Sequence, residues 1–121
     1  MIIINRTKNK ELQIDQERLS VIASRILLDE GSQNSEFTLS FLQPSEIKKL
    51  NESFRQINEV TDVLSFPADD EIDPETGIPF LGDILICADR AAEQASQSGH
   101  ALQNEIDLLL IHGLLHLHGY D

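Results

Sequence analysis

Residues 105–121 read EIDLLLIHGLLHLHGYD, a strongly apolar stretch interrupted by histidines and glycines. At helical period its aliphatic side chains leave almost no polar side, so the stretch predicts a helix buried nearly all round. His112 and His116 are four residues apart, which places both imidazoles on one face of that helix. Gly119 follows, where a left-handed residue ends a helix and turns the chain back toward the face it has just left.

The spacing of these histidines matches the start of a zinc hydrolase motif, H-E-x-x-H-x-x-G-x-x-H, in which a third histidine completes the ligand set. Counted from His112, this sequence has His at +4 and Gly at +7, and the +10 position would be residue 122. We therefore expect His112 and His116 to bind Zn²⁺, with a third protein ligand at position 122; nickel and copper also suit imidazole. Gly113 stands at +1, where the metalloproteases of that class carry their general base.

Two other residues are alternative third ligands in a distorted site, namely Asp121 and His118. His118 is two residues from His116 and so points to another face, which is more typical of a surface or packing residue. For the pair His112 and His116 alone, metal binding and burial as core histidines are equally good interpretations. Gly119 and the resemblance described next favour metal binding.

The last ten residues, HGLLHLHGYD, resemble the H-G-x-L-H-L-x-G-Y-D-H signature of the bacterial YbeY family. Further blocks of the family pattern are LN at 50–51 with FR at 54–55, TDVLSFP at 61–67, LGDI at 81–84, and GH at 99–100 with Glu105. The resemblance implies a zincin-like fold and a metal-dependent, single-strand-specific endoribonuclease. It also implies a role in ribosomal RNA maturation (16S rRNA 3′-end processing) and ribosome quality control in the cytoplasm, with ribosomal RNA and small-subunit ribosomal proteins as partners.

Arg55 is the catalytic residue that this resemblance implies. Taken alone, an arginine at the end of a short helix fits a surface cation interacting with the helix carbonyls. The arginine after L-N-x-x-[YF] is functional in the family, and a guanidinium beside a metal can hold a phosphate at two points and stabilise developing charge. The proton acceptor stays open, since a metal-bound hydroxide or the RNA 2′-hydroxyl as nucleophile would each avoid a separate base.

The net charge of −12, from nine basic and twenty-one acidic residues, is unusual for a nucleic-acid enzyme. Phosphate neutralisation supplies most non-specific affinity, so tight sequence-independent RNA binding is not expected. A basic tail beyond residue 121 or delivery by a protein partner would resolve the conflict. Two alternatives therefore remain: a zinc hydrolase of a non-RNA bond, and a ribosome assembly factor with a structural metal.

The pattern of elements predicts an α+β fold in a single domain over residues 1–121. It has one mixed sheet of about four strands packed with helices, the histidine helix being central and C-terminal. No signal peptide or membrane span is expected. The predicted strands are 1–7, 36–43, 61–67 and 81–87, of which 36–43 is expected to be half-buried. The predicted helices are 14–29, 44–54 and 90–97, with Phe54 in the buried stripe of the second and Asp89 as the cap of the third. Residues 68–80 are expected to form a long acidic loop.

Four other residues carry hypotheses. Asp83 either orients a metal-bound histidine or faces the substrate, or else it occupies a solvent position at a sheet edge. Glu105 is too far along the helix to share an ion with the histidines, but it could fix Arg55 in place. Asp62 contacts substrate or bonds its own backbone in a turn. Cys87 is expected to be a buried core residue.

Overall fold

A computed structural model describes residues 1–7, 13–72 and 74–120 of the chain, without the side chains of residues 70 and 71. Strands and helices alternate along most of it. The elements are β1 (Ile2–Asn5), α1 (Gln16–Asp29), β2 (Glu36–Leu42), α2 (Pro44–Arg55), β3 (Val63–Ile72), β4 (Pro79–Cys87), α3 (Ala88–Ser98) and α4 (Leu102–Leu117).

The four strands form one mixed sheet in the order β1-β2-β4-β3. β1 pairs with β2, and β2 with β4, in parallel, while β3 and β4 form an antiparallel hairpin. The predicted α+β architecture with a single mixed sheet is confirmed. β3 is an edge strand, so one side of its backbone faces away from the sheet.

Helices cover both faces of the sheet. Phe37, Leu39 and Phe41 of β2 point into the larger hydrophobic cluster, which α1, α3 and α4 complete on that face. Leu42 points the other way, into a smaller cluster with Ile47 of α2. The expectation of a half-buried β2 is therefore wrong, because α2 covers the face that was predicted to meet solvent. The smaller cluster consists of Leu42, Ile47, Leu64 and Cys87.

The loop predicted at residues 68–80 is shorter than expected, because only residues 74–78 of its described part lie outside the strands. β3 continues to Ile72 and β4 begins at Pro79, with these two residues paired across the hairpin. The acidic residues and prolines there suggested a loop, but pairing with β4 outweighs their poor strand propensity. Pro67 lies inside β3 rather than at its end, which an edge strand tolerates because a missing donor there breaks no ladder.

α4 begins earlier than expected and is not buried all round. Its inner side is fully packed, but Leu108 is 45% exposed and both His112 and His116 face solvent. Gly119 adopts φ +92° after the helix, and the Tyr120 amide donates back to the Leu115 carbonyl at 3.0 Å. The predicted left-handed turn is thus confirmed.

α1 and α3 differ in how well their starts agree with the sequence prediction. α1 begins under the cap of Asp15, whose carboxylate accepts from the Arg18 amide at 3.0 Å. α3 begins at Ala88 with Cys87 as its cap, so the expected cap at Asp89 is wrong. Across the described residues, no helix combines the length and the hydropathy needed to cross a bilayer.

Candidate functional site

A cleft of about 480 Å³ lies along the edge of β3, between the end of α2 and the outer face of α4. It brings together three residues singled out by sequence, namely Arg55, His112 and His116. Since α2 and α4 pack on opposite faces of the sheet, only the edge of β3 lets their side chains meet. The lining consists of Phe54, Arg55, Val63, Leu64, Ser65, Phe66, His112, Gly113 and His116.

The two histidines are free to accept a ligand. Both are exposed on the same face of α4, and neither makes a hydrogen bond or ion pair within the described part of the chain. Imidazoles with no competing partner at i and i+4 suit a shared metal ion. Over residues 1–7, 13–72 and 74–120, however, no three His, Cys, Asp or Glu side chains gather as a potential metal site.

Gly113 explains why this cleft has no base at the position after the first histidine. A Cβ atom built there would lie 2.8 Å from Cγ2 and 2.9 Å from Cδ1 of Ile84 on β4. Ile84 is fully buried, so it has little room to move aside. A larger residue at position 113 would be directed into the sheet and would force α4 away from it. The helix that carries the histidines therefore packs against the sheet by virtue of this glycine.

Arg55 is held in the cleft by the way α2 ends. Gln56 takes a left-handed conformation with φ +57° and closes the helix. Asn51 is almost completely buried and donates from Nδ2 to the Glu59 backbone carbonyl at 3.0 Å. The backbone carbonyl of Asn51 accepts from the Ile57 amide. These contacts fasten residues 56–60 against α2. Phe54 and Arg55, the last two residues of the helix, line the cleft beside residues of β3.

Phe54 is the main departure from the sequence prediction at this site. Helical periodicity placed it in the buried stripe of α2 with Ile47, but its side chain is 62% exposed. Its ring centroid lies 5.1 Å from that of Phe66 on β3, with the planes tilted by 60°. β3 is the edge strand, so no further strand covers the rest of the Phe54 ring, and helical period alone could not predict this exposure. The useful signal was an aromatic residue directly before the arginine.

Two acidic residues proposed for the site lie elsewhere. Glu105 accepts a 2.7 Å contact from His100 Nε2 and does not reach Arg55, so its predicted role is wrong. Asp83 accepts from the Thr38 hydroxyl on neighbouring β2 and is absent from the cleft lining. β4 is a central strand, so the sheet-edge hypothesis for Asp83 is wrong. Asp83 makes no hydrogen bond to His112 or His116 within the described residues, and a contact with substrate stays a prediction.

Asp62 and Cys87 have structural roles. The Asp62 carboxylate accepts from the Val63 amide at 2.8 Å, as the turn interpretation predicts. Cys87 is fully buried as expected, and that burial raises the pKa of its thiol.

Beyond α4 the chain turns back toward the histidines. The two ring nitrogens of His118 contact the Leu114 carbonyl at 2.7 Å and the Ser32 hydroxyl at 3.1 Å. His118 is therefore a packing residue, as the sequence favoured, and the hypothesis that it completes a metal site is not supported. Tyr120 lines a pocket together with His112 and His116. The alternative ligand Asp121 lies outside the described residues.

Comparisons with known proteins agree with this architecture. The family model described as Endoribonuclease YbeY matches residues 3–121. The Endoribonuclease YbeY of Finegoldia magna is 46% identical over 125 residues, covering 100% of this chain and 80% of that protein. That of Limosilactobacillus reuteri is 41% identical over 123 residues, covering 93% of this chain and 76% of its own length. The solution structure of TM1509 from Thermotoga maritima is similar with a TM-score of 0.64 and 30% identity, covering 99% of this chain and 73% of that one.

The fold and the cleft define a small α+β protein with a candidate metal centre at the edge of a mixed sheet. The chain belongs to the YbeY endoribonuclease family. The resemblance drawn from the motif blocks is thereby confirmed.

Proposed function

We propose that this protein is a metal-dependent endoribonuclease that cuts single-stranded RNA, with residues 1–121 acting as one catalytic domain. Its proposed role is ribosomal RNA maturation, including 16S rRNA 3′-end processing and ribosome quality control, in the cytoplasm. One observation carries the proposal: Arg55 and the pair His112 and His116, from helices on opposite faces of the sheet, line the same cleft.

The residues present fit a metal ion as far as the described chain extends. His112 and His116 offer two unengaged imidazoles on one face, and the turn at Gly119 returns the chain to that face. Tyr120 lines a pocket with both histidines. A ligand at position 122 would follow Tyr120 by only two residues along the chain. We propose Zn²⁺ for this site, with nickel and copper as competitors. When bound, such an ion acts as a Lewis acid toward a phosphate oxygen and lowers the pKa of water.

Arg55 is the proposed catalytic residue on the other side of the cleft. Its guanidinium has no carboxylate partner among the described residues, so it is available to hold a phosphate through two parallel hydrogen bonds. A fixed cation there stabilises negative charge that develops on the phosphate during cleavage. Ser65 also lines the cleft, but no neighbouring base in the lining marks it as a nucleophile.

The proton acceptor is not a carboxylate of the described cleft, since its lining contains no aspartate or glutamate. Packing of Gly113 against Ile84 closes the position from which a metalloprotease base would act. The substrate itself carries a 2′-hydroxyl, which can serve as an internal nucleophile and which DNA lacks. The matched DNA strand is therefore an informative second substrate.

The test measures metal content and cleavage of a labelled single-stranded RNA side by side. It uses this 121-residue chain and the same chain extended by one histidine at position 122. We expect the extension to raise metal occupancy and to bring cleavage that a chelator abolishes. Arg55→Ala should then lower kcat by about 10²- to 10³-fold. Arg25→Ala is the matched control, because Arg25 is an exposed arginine on α1 paired with Asp29.

Other outcomes select the alternatives. Metal binding with hydrolysis of an amide or ester, and none of RNA, would indicate a zinc hydrolase of a non-RNA bond. If His112→Ala unfolds the protein while a folded Arg55→Ala variant still supports ribosome maturation, an assembly factor with a structural metal is the better account. Binding to small-subunit ribosomal proteins would then carry the function.

A further inference from the structure

Phe54 is an exposed aromatic side chain that belongs to neither hydrophobic cluster of the described residues. It is 62% exposed, lines the cleft beside Arg55, and leans against Phe66 at a centroid distance of 5.1 Å. Single exposed apolar residues are common on protein surfaces. This one differs because it shares a cleft with an unpaired arginine and two unengaged histidines.

The tilted contact with Phe66 orients the Phe54 ring while leaving most of its surface open. Edge-to-face aromatic pairs are favourable and restrict ring orientation. Phe66 packs in turn against the smaller hydrophobic cluster on the same side of the sheet. The ring of Phe54 is thus a supported apolar surface beside a phosphate-binding cation.

The distribution of charge points to the kind of molecule that would use this surface. Within the described residues, ion pairs engage Arg6, Arg18, Arg25 and Arg90. The basic side chains there that have no carboxylate partner are Lys48, Lys49 and Arg55, and all belong to α2. α2 contains three basic and two acidic residues, a net charge of +1 in a chain of −12. A polyanion therefore meets the least repulsion along this helix.

We infer that Phe54 is the residue on which an unpaired RNA base stacks while Arg55 holds the phosphate of that nucleotide; this inference rests on the proposed function. Base and phosphate of one nucleotide are joined through a single sugar, so two adjacent residues lining one cleft can hold both. A base inside a duplex is covered on both faces by its neighbours and cannot stack on a protein ring without being extruded. Phe54 thereby selects single strands, and stacking supplies affinity that the acidic surface cannot.

Binding is measured separately from cleavage, with a chelator present so that the RNA stays intact. The probe is a short single-stranded RNA carrying 2-aminopurine, whose fluorescence is quenched when it stacks, together with the matched duplex. Phe54→Ala should weaken single-strand binding by about 5- to 150-fold, the range for loss of one stacked base. Phe54→Leu should lose most of the same affinity, whereas Phe54→Trp should keep it. Leu28→Ala, at an exposed leucine of α1 outside the cleft, is the control and should bind like wild type.

Salt dependence gives a second readout that a purely structural role would not alter. At most three cations on α2 are available, so the slope of log K against log salt should be no steeper than about −2. The quenching should disappear in Phe54→Ala, while its urea midpoint stays close to that of wild type because the side chain is exposed.

The outcomes separate this inference from the proposed function. Binding by Phe54→Ala or Phe54→Leu within about twofold of wild type would overturn the stacking role even if the protein cuts RNA. Phe54-dependent binding without metal-dependent cleavage would support the stacking role and count against the nuclease. Failure of the wild-type protein to bind single-stranded RNA would overturn the stacking role, while the cleavage assay with metal decides the proposed function separately.

Discussion

Replacing Gly113 by alanine tests the close contact that seats the histidine helix on the sheet. In most exposed helix interiors this change is stabilising, because alanine exceeds glycine in helix propensity by about 1 kcal/mol. Here the added methyl would lie 2.8 to 3.1 Å from three side-chain carbons of the fully buried Ile84. Overpacking of this kind destabilises by about 1 to 3 kcal/mol. We therefore expect a net loss of about 1 kcal/mol in the free energy of unfolding.

The same substitution should reverse its sign when Ile84 is truncated. Ile84→Ala removes all three atoms that the new methyl would meet. It will itself destabilise by about 2 to 5 kcal/mol, but in that background Gly113→Ala should stabilise by up to about 1 kcal/mol. The four proteins form a double-mutant cycle whose coupling energy should be about 1 to 3 kcal/mol. If the truncated protein is too unstable, Ile84→Val still removes the Cδ1 contact and should show a smaller coupling of the same sign.

Urea unfolding followed by circular dichroism gives these free energies, and an unchanged m-value shows that the unfolded state is the same. Two results would refute the reasoning. One is a stabilising effect of about 1 kcal/mol for Gly113→Ala in the wild-type background. The other is an equal loss in both backgrounds, which would trace the effect to something other than contact with Ile84.

Three further predictions concern stability and reactivity. Arg18→Ala should destabilise the protein by about 1 to 2 kcal/mol in urea unfolding, because it leaves the buried Asp107 carboxylate without its 2.7 Å ion pair. The control Arg25→Ala breaks an exposed pair and should change stability by less than about 0.5 kcal/mol. Equal losses in the two variants would contradict this prediction. Asn51→Ala should lower stability by about 1 to 2 kcal/mol and also weaken cleavage, since it frees residues 56–60 from α2; unchanged stability and cleavage would refute its anchoring role. The Cys87 thiol should react with iodoacetamide far more slowly in the native protein than in urea. Because its folded pKa is raised above the ordinary 9.0, the unfolded state ionises first, and stability should fall as the pH rises above that value; pH-independent unfolding midpoints up to pH 10 would count against it.

The elements that sequence predicted well are those whose own residues determine them. The apolar period of residues 105–117 fixes a helix whatever packs on it, and Gly119 ends it because few other residues accept a positive φ. The convergence of His112, His116 and Arg55 was expected only through the family resemblance. No local pattern relates Arg55 on α2 to the histidines of α4, the nearer of which, His112, is 57 residues further along the chain.

The predictions that failed depended on neighbours from distant parts of the chain. Phe54 has the period of a buried residue, but it lies over the edge strand β3, where Phe66 packs against one part of its ring and no further strand covers the rest. Glu105 lies on the same line of α4 as the histidines, but helical periodicity does not show that its carboxylate pairs with His100. The strand character of residues 68–72 comes from pairing with β4 and not from their composition. The sequence shows at Gly113 only the absence of a base, because the residue that packs against it, Ile84, lies on a distant strand.

The two sides of the cleft are anchored in different parts of the protein. α4 contributes to the larger cluster on one face of the sheet, whereas α2 is held by the few residues of the smaller cluster on the other. Local opening requires less free energy where fewer apolar contacts are broken. We therefore expect α2, which bears Arg55, to open locally more readily than α4. The histidine side stays fixed by the main core. Any change in the width of the cleft would therefore come from movement of α2 and not of α4.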